Sequence, residues 1–92
     1  MRIDKFLKVA RILKRRTVAK ELLVNNRVKI NEKIAKPASD VKIGDIIEVQ
    51  FGLRVIKVRV LDLKEFSKKA DSDSLYEIIE ERKIQDEIKV FD

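Results

Sequence analysis

The sequence predicts an α+β domain. Apolar residues recur at helical spacing through the first 25 positions, then alternate at a period of two from residue 27 onwards. Turn signals separate the alternating runs, so the strands read as hairpins of a small, mostly antiparallel sheet. At 92 residues the chain is long enough for one small domain and not two.

The first helix follows Asp4, whose carboxylate suits an N-cap. In KFLKVARIL, Ile3, Phe6, Leu7, Ala10 and Leu13 share one side. Lys8, Arg11 and Arg15 recur on another side, with Lys5 one turn earlier. Thr17 is the expected cap of a second helix over about 18–25, with Val18, Ala19, Leu22 and Leu23 as its buried face. Asn25-Asn26 marks its end, because asparagine tolerates the left-handed conformation that closes many helices. The basic cluster Lys14-Arg15-Arg16 falls in the turn between the two helices.

The strands come next. RVKI alternates Val28 and Ile30 with Arg27 and Lys29. Asn31-Glu32 is a candidate two-residue turn, with KIAK returning and Pro37 ending the segment. Glu32 suits a type I′ turn poorly, so a different loop geometry is expected there. Gly44-Asp45 precedes a strand over about 46–51, and Gly52-Leu53 turns the chain into RVIKVRVLDL. In that run Ile56, Val58 and Val60 share one face and Lys57 and Arg59 the other. Residues 61–73 read as a polar connector. Ser74 and Glu77 form a capping-box pattern, and Leu75, Ile78 and Ile79 follow at helical spacing. A third helix over about 75–83 is therefore expected, with Ile84 and Ile88 available to extend it. The expected architecture is two N-terminal helices, about four strands and a C-terminal helix. It divides into a domain over 1–62 and a helical extension over 63–92.

Charge is unevenly placed. Residues 1–36 hold 12 Lys/Arg and 3 acids, a net +9, whereas residues 37–92 hold 10 Lys/Arg and 13 acids, a net −3. The basic excess of a chain with net charge +6 thus lies wholly in its first part, which points to a polyanion-binding half. The chain has no cysteine and no histidine, which removes disulfides, thiolate nucleophiles, the usual zinc constellations and His-based triads. No Gly-rich phosphate loop is present, so an enzyme is not expected. No cofactor or metal is expected either. The start, MRIDKFLK, is charged and lacks the apolar stretch of a signal peptide, so a cytoplasmic protein is expected.

The cluster Lys14-Arg15-Arg16 poses the functional question. A helix N-terminus is already electropositive, so cations there are a local conflict. A solvated basic face is one reading. An incoming phosphate is the other, since helix-terminal N–H groups and guanidinium forks both suit it. Arg27 and Lys29 would add to the same surface. DNA, RNA or an anionic membrane remain open as partners. The second helix offers few base-reading side chains, and Phe6 and Phe51 sit at core positions, which favours recognition of backbone and shape.

MR-DKFLK, KRRT-AK, RV-IN, AKP and GDIIEV occur in an order that resembles an S4-type RNA-binding domain of the alpha-L type, over about residues 1–51. The likeness is to the small stand-alone RqcP-type (YabO-type) members, relatives of the ribosome-associated heat-shock protein Hsp15. The resemblance implies that the two helices and first hairpin form an RNA-binding surface. It implies binding to large ribosomal subunits obstructed by peptidyl-tRNA, with contacts to large-subunit rRNA and to the tRNA. It further implies action with an RqcH-type factor that adds C-terminal alanines to stalled chains, or an Hsp15-like recycling role. By motif position, Arg2, Lys5, Lys8, Arg15, Arg16, Thr17 and Lys20 are the implied RNA contacts. Arg11, Lys14, Arg27 and Lys29 join them as the surrounding basic surface. A monomer is expected.

Overall fold

A computed structural model describes residues 1–13, 15–64 and 74–83, and of Arg16 it describes the backbone alone. Two helices, α1 (Ile3–Val9) and α2 (Arg16–Val24), precede five strands: β1 (Val28–Ile30), β2 (Lys33–Ile34), β3 (Ile46–Phe51), β4 (Arg54–Val60) and β5 (Tyr76–Lys83). The strands form one antiparallel sheet in the order β2-β1-β3-β4-β5. The helices cover one face. Ile3, Phe6, Leu7, Ala10 and Leu13 are all buried, as the helical spacing predicts, together with Ala19 and Leu23 of α2. They pack with Val28, Ile47, Val49, Val58 and Val60 of the sheet and with Leu75. Val18 is exposed and Leu22 half-buried, so the buried face of α2 is narrower than the sequence suggests.

The helix boundaries correct two capping expectations. Asp4 lies inside the first turn of α1, where Arg2 holds the N-cap position. Its carboxylate is buried and accepts from Arg2 Nη2 at 3.1 Å and from the Lys5 amide at 2.8 Å. The loop caps α1 instead: the Ile3 amide donates to the Ser39 carbonyl at 2.8 Å and the Asp4 amide to the Pro37 carbonyl at 3.4 Å. Thr17 likewise lies inside α2, whose N-cap is Arg15.

Both helices end in Schellman motifs. After α1, the Ile12 amide donates to Leu7 and the Arg11 amide to Lys8, with Arg11 at φ +57°. After α2, Arg27 donates to Leu22 and Asn26 to Leu23, with Asn26 at φ +60°, as the asparagine pair predicts. Because α1 stops at Val9, Arg11 and Arg15 do not continue its helical stripe. The first hairpin also differs from expectation. Asn31 and Glu32 both take positive φ, +50° and +70°, between paired Ile30 and Lys33, which is the type I′ pattern despite the glutamate. Asn31 supports it by donating to Asp45 Oδ1 at 3.1 Å and accepting from the Ile46 amide at 3.0 Å.

The expected C-terminal helix over 75–83 is overturned: this segment is β5, a fifth strand on the outer edge of β4. A helix would have left the backbone of β4 unpaired along that edge. As a strand, Glu77, Glu80 and Glu81 meet Arg59, Lys57 and Arg54 across the pair, and Leu75 reaches the core. Ile79 is an extra residue between Ile78, opposite Val58, and Glu80, opposite Lys57, which makes a bulge. The suggested continuation through Ile84 and Ile88 lies outside the described residues.

Candidate nucleic-acid interface

The helical pair presents the basic residues. Lys8, Arg11, Arg15, Lys20 and Arg27 are exposed. Among the described residues none of these five has a carboxylate within ion-pair distance. Burial of Phe6, Leu7 and Ala10 on the sheet turns Lys8 outward. The Schellman turn then places Arg11 at a left-handed position, where glycine would cost less. Thr17 and Lys20 lie one turn apart on the exposed side of α2.

The two helix N-termini differ in how their backbone donors are used. Those of Ile3 and Asp4 are spent on the loop. At α2 no side chain caps the first turn and no acid lies in it. Among the described residues nothing accepts from the Thr17 and Val18 amides. With no acceptor among the described residues, the Thr17 and Val18 amides beside the Arg15 cation form a fitting site for a phosphate.

Other predicted contacts are placed differently. Arg2 is exposed but engaged with Asp4, and bridges to Asp40 through its backbone. Lys5 is half-buried on α1. Arg16 heads α2, and Lys14 lies outside the described residues. Lys29 does not join the helical face. It alternates with buried Val28, projects to the opposite face of the sheet and lies 3.8 Å from Glu48.

That opposite face carries a row of charges in register: Lys29 on β1, Glu48 on β3, Lys57 on β4 and Glu80 on β5. Each neighbouring pair is 3.8 Å apart. Arg59 and Glu77 add a second pair at 3.0 Å. This neutralised surface was missed in the sequence. Its signal was the order of acids in 77–81, which mirrors the cations of 54–59.

At the start of the chain, the Met1 ammonium lies 2.9 Å from Asp40. The hydrogen bond and charge of that ammonium hold the Asp40 carboxyl below its ordinary value.

A two-helix unit with open cations, packed on a small antiparallel sheet, is the architecture of an RNA-binding module, and residues 1–47 match the S4 domain. The chain belongs to the S4 domain family. It is 46% identical over 88 residues to the RQC P-site tRNA stabilizing factor of Streptococcus pneumoniae, covering 96% of this chain and all of that one. It is 48% identical over 84 residues to the protein of the same name from Bacillus subtilis, covering 91% and 98% of the two chains. These identities place it in the family of RQC P-site tRNA stabilizing factors. The fold is similar to the trimeric structure of Vibrio cholerae heat shock protein 15, with a TM-score of 0.78, 26% identity, and coverage of 85% of this chain and 80% of that one.

Proposed function

We propose that the protein is a ribosome-associated quality-control factor. It binds large ribosomal subunits obstructed by peptidyl-tRNA, contacts rRNA and tRNA, and supports C-terminal alanine tailing with an RqcH-type factor. It acts in the cytoplasm as a binding protein and not as an enzyme. The observation that carries this reading is the set of helical-face cations that have no acid partner among the described residues, beside a first turn of α2 that no side chain caps. The names of its relatives, which specify stabilisation of a P-site tRNA, supply the target.

The RNA-contacting unit is residues 1–62, and the segment after it contributes β5. Lys8, Arg11, Arg15, Arg16, Thr17 and Lys20 form the centre of the interface, and Lys14 joins them. Arg2, Lys5 and Arg27 lie around it. Lys29 contributes least, because Glu48 already engages it on the other face. Backbone contacts of this kind favour shape over sequence, since phosphates carry no base identity. The protein acts as a monomer in this reading. The likeness to a heat shock protein 15 structure favours a second reading, recycling of blocked large subunits, and that relative is trimeric.

Gradient sedimentation of the tagged protein from its own cells tests the assignment. Co-migration with large subunits carrying peptidyl-tRNA is expected, with an RqcH-type factor in the same fractions. Large-subunit co-migration without that factor selects the recycling role. A signal confined to small subunits or free protein refutes both.

A further inference from the structure

Among the described residues one charged side chain is buried: Asp4, only 4% exposed. An ion taken out of water is destabilising unless its charge and its lone pairs are both met. Here they are. Asp4 Oδ2 accepts from Arg2 Nη2 at 3.1 Å, and Oδ1 accepts from the Lys5 amide at 2.8 Å. Stability does not demand such a pair, because apolar side chains of like size serve a buried position at least as well. The use of the pair lies in what it does to Arg2.

Arg2 is held at both ends. Its backbone bridges Asp40; the Val41 amide donates to the Met1 carbonyl and the Ile3 amide to the Ser39 carbonyl, each at 2.8 Å. Its guanidinium is tied to Asp4, yet the side chain is 58% exposed. Among the described residues its remaining N–H donors meet no acceptor. Arg2, Lys5 and Lys8 follow at three-residue spacing, so Arg2 continues the basic side of α1 by one turn.

We propose that Asp4 is a positioning residue for RNA binding. It holds one edge of the Arg2 guanidinium, fixes the plane of the fork and turns the other donors outward to a backbone phosphate. This rests on the RNA-binding reading of the protein. A guanidinium donates two parallel bonds to a phosphate only in the right orientation, so fixing that orientation favours binding. An arginine loose in solvent loses rotamer freedom when it binds, and the bond to Asp4 removes that loss beforehand. The Ile3 and Asp4 amides are taken by the loop, so the guanidinium and not the helix end makes the contact. Charge alone predicts the opposite sign. Removing an acid from a polyanion-binding surface should strengthen binding, whereas removing a positioning acid should weaken it.

The test measures binding of the full chain to large ribosomal subunits carrying peptidyl-tRNA, by sedimentation. Asp4→Asn leaves one acceptor oxygen where two are used, so Arg2 and the Lys5 amide can no longer both be held. Binding should weaken about tenfold although a negative charge is removed. In an Arg2→Gln background, whose amide can still donate to Asp4, the same substitution should change affinity less than about twofold. Arg2→Lys keeps the charge and a donor for Asp4 but loses the fork, and should weaken binding about fivefold. Circular dichroism checks the fold of each variant; should Asp4→Asn not fold, Arg2→Lys decides. Unchanged or tighter binding in Asp4→Asn, an equal loss in the Arg2→Gln background, or full binding by Arg2→Lys would each overturn the inference. Failure of the wild-type chain to bind the subunits overturns the RNA reading itself, whereas wild-type binding that Asp4→Asn leaves intact overturns this inference alone.

Discussion

On the helical pair, Lys8, Arg11, Arg15 and Lys20 stand without an acid partner among the described residues, whereas on β1 and β4 Lys29, Lys57 and Arg59 each face a glutamate. Both regions are rich in cations, yet only the first is electropositive. The difference lies in register. Strand pairing sets opposite charges beside one another across the sheet, while the helices direct their acids elsewhere or into the interior, as with Asp4. A count of lysines and arginines therefore does not identify a polyanion site. The positions left without counter-charges do.

The strongest way to break this comparison is charge reversal at the helical face. Arg15→Glu with Arg16→Glu should abolish ribosome association in sedimentation while circular dichroism stays native. Retained association would remove the helical face from the interface. Reversal on the sheet is the control. Glu80→Lys sets a like charge beside Lys57 and should cost up to about 1 kcal/mol in urea unfolding, with no gain in RNA affinity. A gain would show that RNA does reach the sheet.

Single removals sharpen the comparison through salt dependence. Lys8→Ala or Lys20→Ala should lower the slope of log affinity against log salt by about 1 each, as a lost phosphate contact does. Arg59→Ala should leave that slope unchanged and cost about 0.2–1 kcal/mol of stability. Arg11→Gly separates backbone from side chain: RNA binding should fall, while stability holds or rises by up to about 1 kcal/mol, since the left-handed position is relieved.

The smallest effect concerns pH. Asp40 is held below its ordinary value of 3.8 by the Met1 ammonium, so its folded pKa lies under its unfolded one. The ion pair then supports folding at neutral pH, and its contribution is lost as pH falls through the depressed value. Asp40→Asn should remove that part of the acid limb of a stability–pH curve. The RNA-binding face should be unaffected, which separates this pair from the functional cations.

Much of the fold was legible because its signals are local. The spacing of Ile3, Phe6, Leu7, Ala10 and Leu13 marked the helix face that the structure buries. Alternation marked β3 and β4, and the asparagine pair marked the end of α2. The caps were misread for a physical reason. A carboxylate or hydroxyl at a helix start looks like a cap in sequence, yet the donors of α1 are taken by carbonyls of a loop more than 30 residues away. The segment after Ser74 was misread for the same reason. Its local pattern fits a helix, and only the empty edge of β4 makes it a strand.

By itself, then, the sequence determined two amphipathic helices, the strands up to β4, the core they share and the basic character of the first 36 residues. These follow from periodicity and composition, which act between neighbours along the chain. Tertiary structure alone decided that β5 completes the sheet, that Lys29 faces away from the helices, and that Asp4 is buried against Arg2 instead of capping α1. Each depends on which distant residues a strand register or a packed loop brings within a few ångströms, and pairing energy of that kind has no signature in any one stretch of chain.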